Sequence, residues 1–588
     1  MIWRVCRTAL SLVSGRSALD LTWRISRMPR PPGSISYLEA MEEVRGYLEE
    51  AGAEVRILPL PADSEILDGL SSPRAWDVRD GELWMEEPER VKIASLDEVQ
   101  TLVVFGSSPT RGWVEGEVAL GEPRPGSILL TDDHPAESHE RAISSGALAT
   151  IHYSQDSPEE AFPLFRLPPY SESGVALSIS RVWASRIARL VSRGERVVLR
   201  LRVNSGRMDC GPDILEAILP GRSDRFVTIF SHLDGAGALD NASGVASAVE
   251  ALRVVSRMAE ASGLDLGLRL VIGPEFLEAA AASAWGIAGQ ASLVVDSPAS
   301  ERILVSAVSV GRPSFVPILT FSVVEAVSEA AGFWRVRYGP VLHPDSAALS
   351  VPHGAMVGSS PAAETSADSP DLVSPRGLAS AAAAVASFAL IACRLPSLDR
   401  EILRILGIQA RRLALLETLR ISQGGAPAER APLIPPAYQE ALRTLSALDP
   451  SLSQKAGYEA SSLRADLAAI SSEPPPLPGG PVLARARGPV FDYLIVASVA
   501  PEGWRRICLE RGPALGEIYS LFDGERTLKE VERLAVADFL AESGEFGEIV
   551  KFMVERGWLV EAGVRERGPA FKYPRGGGSS GLRWTRRR

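Results

Sequence analysis

Cysteine is scarce in this chain. Its 588 residues carry four, Cys6, Cys210, Cys393 and Cys508, far apart and with no CxxC spacing. That excludes a disulfide framework and a cysteine-ligated zinc site, and it fits reduced thiols in a cytoplasm. No HExxH and no Walker lysine motif is present, so a helical zincin site and a P-loop are excluded. Gly235–Asp240 (GAGALD) begins like a dinucleotide loop but has Asp240 where the third glycine belongs. The GGSSG of the tail lacks the strand–turn–helix context of a nucleophile elbow. There is no basic surplus: the net charge is −11, which argues against nucleic acid or an anionic membrane as a global partner. No uninterrupted apolar run of membrane-spanning length is read, and Arg4 and Arg7 break the N-terminal apolar stretch. The expectation is a soluble cytoplasmic protein without a signal peptide.

What is present suits packed cores. Hydrophobic residues make up 46% and charged residues 23%, and the length predicts two to four domains. Residues 36–52 have helical spacing closed by Gly52, and the strand-like AEVRILPL follows. Residues 1–112 are expected to open the main α/β core. Residues 113–205 read as a small α/β insert, whose His134, His139 and His152 have no ligand cluster around them. Residues 206–395 alternate strand and helix, which predicts a mixed, largely parallel sheet flanked by helices. Residues 396–485 are a helical segment running into the proline-rich linker SSEPPPLPGGP. Residues 486–574 form a small C-terminal module, and 575–588 a disordered basic tail.

The segment RFVTIFSHLDGAGALDNASG carries the chemistry. RFVTIFS is a short strand, and His232 and Asp234 stand just past its end. Asp240 lies in the next loop, and Asn241 or Ser243 can cap the helix that follows. The next strand, LGLRLVIG, delivers Glu275, and ASLVVD delivers Asp296. Ends of successive parallel strands lie on one edge of a sheet, where sites of open α/β folds form. Any one of these residues alone would be read as a turn or cap residue. Three successive strand ends bearing one histidine and four acids instead point to a site, because converging carboxylates need a cation. The donor set suits zinc, and also manganese or cobalt.

At these residues the chain resembles the M28-like aminopeptidases. The matches are H-L-D (232–234), D-N-A-S-G (240–244), P-E (274–275), V-V-D (294–296) and E-T-S-A-D-S-P-D (364–371). The single P-E and the W-D-V-R-D-G-E-L-W segment (76–84) resemble a branch with a protease-associated-like insert and a C-terminal winged-helix-like module. The resemblance implies an exopeptidase core holding one or two Zn2+ ions, with His232, Asp240, Glu275, Asp296 and Glu364 as ligands. It implies that Asp240 bridges two ions, that Glu275 is a ligand or the general base, and that Asp234 orients His232. The implied activity is removal of N-terminal residues from small peptides by metal-activated water.

The chain departs from the family pattern at two places. Pro274 replaces the first glutamate of a Glu-Glu pair, and Glu278 is the nearest further carboxylate. Glu364 stands where a late histidine is usual. His343, beside Asp345, could substitute if its loop folds over the site, although an ordinary loop histidine is the plainer reading. These departures keep a second hypothesis open: a catalytically degenerate peptidase fold that binds peptides or acts as a scaffold. A third, nucleic-acid binding through the C-terminal module, is disfavoured because residues 491–568 hold 15 acidic and 10 basic side chains. Membrane association is not expected, and a homo-oligomer is compatible with the sequence.

Overall fold

The computed structural model describes residues 1–562 except 63, 68–69, 168–173, 261–262, 398–399, 424–427, 468–476, 478, 489, 494–495, 497–499, 501–503, 505–506 and 509–510. The expected disordered tail, 575–588, lies outside the described residues.

An eight-stranded mixed sheet forms the centre. Its order is Glu54–Pro59, Asp213–Leu219, Gly267–Gly273, Phe226–His232, Ala291–Asp296, His353–Ser359, Arg302–Ser306 and Arg335–Gly339. The four middle strands run parallel, and the register sets His232 beside Gly273. These strands are apolar almost throughout because both faces are covered. Val227, Ile229, Leu270 and Val295 point to a layer of helices that includes Ala242–Ala259 and Pro375–Arg394. Phe230, Val271 and Val294 point the other way, into a second core shared with the short helix Leu277–Ala284 and the C-terminal unit. The alternation follows the two-residue period of a strand.

The N-terminal helices Ile2–Leu12 and Gly15–Ser26 bury Ile2, Cys6, Leu21 and Ile25 in the same helical layer. The helix Ile35–Glu50 starts where Ser34 accepts the Tyr37 N–H at 3.1 Å. One expectation needs correcting. The helix Pro375–Arg394 is long and apolar enough to cross a membrane by length and composition, although no such run was read from the sequence. Its apolar residues are packed inside the helical layer, where a helix buried all round must be hydrophobic all round.

A second sheet of seven strands forms a separate layer. Its order is Val91–Ser95, Trp76–Glu87, Val198–Arg207, Val114–Leu120, Ser127–Thr131, Ala149–His152 and Val175–Ser178. This corrects the boundary expected at 113. The strands at 76–95 belong to the insert, because the long strand Val198–Arg207 pairs antiparallel with Trp76–Glu87 along its whole length.

The C-terminal unit has helices Gly512–Ser520, Leu528–Ala537 and Ser543–Glu555 and a three-stranded antiparallel sheet. The middle strand of that sheet is Val482–Arg485, so the unit begins before residue 486. Thr527 and Glu530 form the reciprocal capping box their spacing predicts. The unit is bolted to the core. Buried Arg430 contacts Asp538 at 2.5 Å and Glu417 at 2.8 Å. Asp538 in turn accepts hydrogen bonds from the Ser309 hydroxyl and from the Val310 and Gly311 N–H groups.

Candidate metal centre

The parallel strands Phe226–His232 and Ala291–Asp296 end side by side, so His232 and Asp296 reach the same edge of the sheet. Asp240 comes from the loop between the histidine strand and its helix, and Asn241 fixes that loop. Asn241 Oδ1 accepts the N–H groups of Gly244 and Ser297, both at 3.0 Å. Asn241 Nδ2 donates to Ser231 Oγ at 3.1 Å and to the Val295 carbonyl at 3.2 Å. One buried amide thus ties the helix start to two strand ends. Gly244 must be glycine, since a Cβ there would lie 2.1 Å from Asn241 Oδ1. The D-N-x-S-G spacing is therefore a cap folded over a glycine.

Asp368 secures the other side of the loop. Its carboxylate accepts the Leu239 N–H at 2.8 Å and the Asp240 N–H at 2.9 Å. It approaches so closely that any side chain at Gly237 would collide with it. Fully buried Arg30 donates to the carbonyls of Leu233 and Gly237 from behind the loop. Burial lowers its guanidinium to about 10, and the nearby Asp234, Asp240 and Asp368 oppose that fall.

Three of the predicted ligands converge. His232 Nε2 lies 3.4 Å from Asp240 Oδ1 and 3.5 Å from Asp296 Oδ1, and one donor atom from each residue falls within 4.8 Å of the others. Zinc bonds of about 2.0–2.2 Å imply tetrahedral edges of about 3.3–3.6 Å, so these spacings fit a single small divalent ion. The electrostatics agree. Burial opposes charging His232, yet Asp234, Asp240 and Asp296 together drive the ring well above its ordinary pKa. The cluster is short of positive charge.

Behind the ring, Asp234 Oδ1 sits 3.3 Å from His232 Nδ1, out of line for a full hydrogen bond, and accepts the Glu275 N–H at 2.8 Å. Burial would raise Asp234, but His232 and Arg166 hold it at about 2. It is therefore an ionised partner for the imidazole.

His343 was read as a loop histidine, and the structure brings it to the site. Its Nε2 is 3.4 Å from Asp296 Oδ2, the oxygen opposite the one facing His232. Asp345 stands behind it, with Oδ2 3.8 Å from His343 Nδ1 and without a hydrogen-bond partner among the described residues. Asp345 Oδ1 accepts the Phe276 N–H at 2.6 Å. Burial opposes a charged His343, but Asp296 and Asp345 lift it to about 9.

Glu275 and Glu364 stand apart from the trio. Both face Arg166, whose Nη1 lies 3.8 Å from Glu275 Oε2 and 3.3 Å from Glu364 Oε1, while Nη2 lies 3.3 Å from Asp234 Oδ2. Desolvation raises Glu275 to about 7 despite the neighbouring His232 and Arg166. Glu278 is fully buried in the first turn of Leu277–Ala284, and neither of its oxygens has a partner among the described residues. Burial pushes its carboxyl well up. A cavity of about 420 Å3 adjoins the site. Its wall includes Trp76, Phe105, Arg166, Asp234, Glu275 and Tyr493.

Arg30, Arg166 and Asp345 carry no motif that marks them, and sequence reasoning gave neither them nor Asp368 a role. Asp368 was the one with a signal, since it lies inside the quoted E-T-S-A-D run.

Comparison with known proteins agrees with this geometry. Residues 215–275 match the model of Peptidase family M28. No curated protein matches the chain. Among solved structures, a peptidase M28 precursor from Shewanella amazonensis SB2B is similar at 19% identity and a TM-score of 0.50, covering 66% of this chain and 95% of that one. A zinc aminopeptidase from Bacillus subtilis is similar at 14% identity and a TM-score of 0.47, covering 64% and 94%. An aminopeptidase from Aneurinibacillus sp. strain AM-1 is similar at 18% identity and a TM-score of 0.44, covering 65% and 95%. The stretch that holds His232, Asp234, Asp240 and Glu275 thus matches the model of peptidase family M28, and the chain's α/β fold is similar to that of a solved M28 peptidase precursor.

Proposed function

We propose that this chain is a metal-dependent aminopeptidase acting on small peptides. The observation that carries the reading is the convergence of His232, Asp240 and Asp296 at ion-binding spacing beside a cavity walled by Glu275 and Asp234. His232, Asp240 and Asp296 would hold the divalent ion, which when bound would supply Lewis acidity and a water acidified to near neutrality. Asp234 keeps the His232 ring oriented with Nε2 toward the ligand cluster. Glu275 lies on the cavity wall outside the trio, raised by desolvation to about 7. That value suits a carboxylate that takes a proton from the attacking water and returns it to the leaving amine. Trp76, Phe105 and Tyr493 supply apolar surface for a substrate side chain and exclude water. Glu275 and Glu364 line the same cavity.

The test is metal content by elemental analysis, measured together with release of N-terminal residues from short peptides. We expect bound zinc, manganese or cobalt in the wild type, and loss of both metal and activity in His232→Ala. A wild type that neither contains nor takes up a divalent ion would sink the enzyme reading and favour a peptide-binding protein on a peptidase fold. Cleavage inside blocked peptides, with no preference for a free amino terminus, would refute the aminopeptidase assignment while leaving the peptidase.

A further inference from the structure

Two sets of carboxylates lie on this edge of the sheet, and they meet different cations. Asp240 and Asp296 converge on His232. Asp234, Glu275 and Glu364 converge instead on one guanidinium, that of Arg166. Two of the ligands expected from the sequence are therefore already matched by a charge the chain supplies itself.

Arg166 is held there by its backbone. The segment at 162–167 is strapped to the core on one side: Leu164 N–H donates to the Glu364 carbonyl at 2.7 Å, and Ser366 N–H donates to the Phe162 carbonyl at 2.8 Å. On its other side it is strapped to the insert, with Leu167 N–H donating to the Phe105 carbonyl at 2.8 Å and Phe105 N–H to the Phe165 carbonyl at 3.0 Å. The guanidinium cannot yield its place by losing a proton, because arginine stays charged in proteins. A lysine in a similar setting could neutralise itself, and a water could leave.

We propose that Arg166 is the built-in second cation of this centre, so that the chain binds one divalent ion at His232, Asp240 and Asp296 and not two. The inference rests on the metallopeptidase reading above. An ion placed between Glu275 and Glu364 would stand against a fixed positive charge and would compete for oxygens that already have a partner. The arginine side chain is about one third exposed and lines the cavity. Asp234 gains from it. Its Oδ1 takes the Glu275 N–H and its Oδ2 faces Arg166, so the carboxylate behind His232 is held through both oxygens.

The experiment counts ions in the full chain. Protein stripped with a chelator is titrated with Zn2+ and, separately, Mn2+, and the stoichiometry is read by native mass spectrometry and elemental analysis. We expect one equivalent in the wild type at saturation and two in Arg166→Ala. The second should disappear in Arg166→Ala/Glu364→Ala while the first remains. A wild type that takes two ions overturns this inference alone, whereas a wild type that takes none overturns it together with the metallopeptidase reading. Arg166→Ala that folds, by circular dichroism, and still takes one ion also overturns it. Should Arg166→Ala not fold, anomalous diffraction at the zinc edge on the wild type decides. One peak at His232 supports the inference, and a second peak between Glu275 and Glu364 refutes it.

Discussion

His232 and His152 occupy equivalent places in the two sheets, and their fates are opposite. Each is the last residue of a parallel strand, and each is buried. His232 ends among Asp234, Asp240 and Asp296, which drive it well above the ordinary histidine pKa. His152 ends among neutral groups. Its Nδ1 lies 3.1 Å from the Asp133 carbonyl, which can only accept, so Nδ1 carries the proton. Its Nε2 then accepts from the Thr150 hydroxyl at 2.8 Å, which leaves that oxygen free to accept from His139 Nδ1 at 2.7 Å. Burial, helped by the nearby His139 and His134, brings His152 down to about 3 against the Asp133 hydrogen bond. The same position on the same kind of strand yields an imidazole ringed by carboxylates in one sheet and a structural imidazole in the other. What decides is whether carboxylates reach the ring, as they do at His232, or a carbonyl and a hydroxyl do, as at His152.

The strongest test of the acidic edge is the carboxylate outside the trio. Glu275→Gln should cost about 10^2–10^4 in kcat with metal content unchanged, as expected for loss of a proton-transfer group. Equal losses of metal and rate would make Glu275 a ligand instead. The carboxylate behind the ring should matter less: Asp234→Asn is expected to weaken metal affinity about 10–100-fold, measured by competition with a chromogenic chelator. An unchanged affinity would mean that His232 needs no orienting partner. The smallest effect belongs to the neutral edge and is read as stability. Unfolded chains take up a proton at His152 as pH falls through about 6.5, whereas the folded protein keeps the ring neutral down to about 3. Stability should therefore fall with pH across that window, by about 1.4 kcal/mol per pH unit from this residue. Urea unfolding at pH 7 and pH 5 should show a shallower loss in His152→Gln than in the wild type. Equal slopes would place the burden on other groups, with His353, also lowered to about 3 by burial, as the first to examine.

The contrast also explains what could be read from the sequence. His232, Asp240 and Asp296 were legible because the chemistry is local to strand ends, and each strand announced itself as an apolar run. His343 was harder to read, since its neighbourhood comes from a loop that folds back to Asp296 from 47 residues away. Arg166 was illegible for a stronger reason. It belongs to the other sheet's layer, and nothing periodic in sequence links it to Asp234, 68 residues on. The insert boundary was misplaced for a related cause. Trp76–Glu87 reads as a strand whichever sheet it joins, and its partner Val198–Arg207 lies more than a hundred residues away. Glu278, the nearest further carboxylate, does lie on a short helix as its spacing allowed, and burial pushes its carboxyl well up there.

The paired hydrogen bonds between 162–167 and 364–366 have a mechanical consequence. They stitch the insert to the very loop that carries Glu364, so swinging the insert outward would tear a short ladder and pull a salt-bridged arginine out of its carboxylates. We therefore expect the 162–167 segment and the Glu364 loop to move as one body.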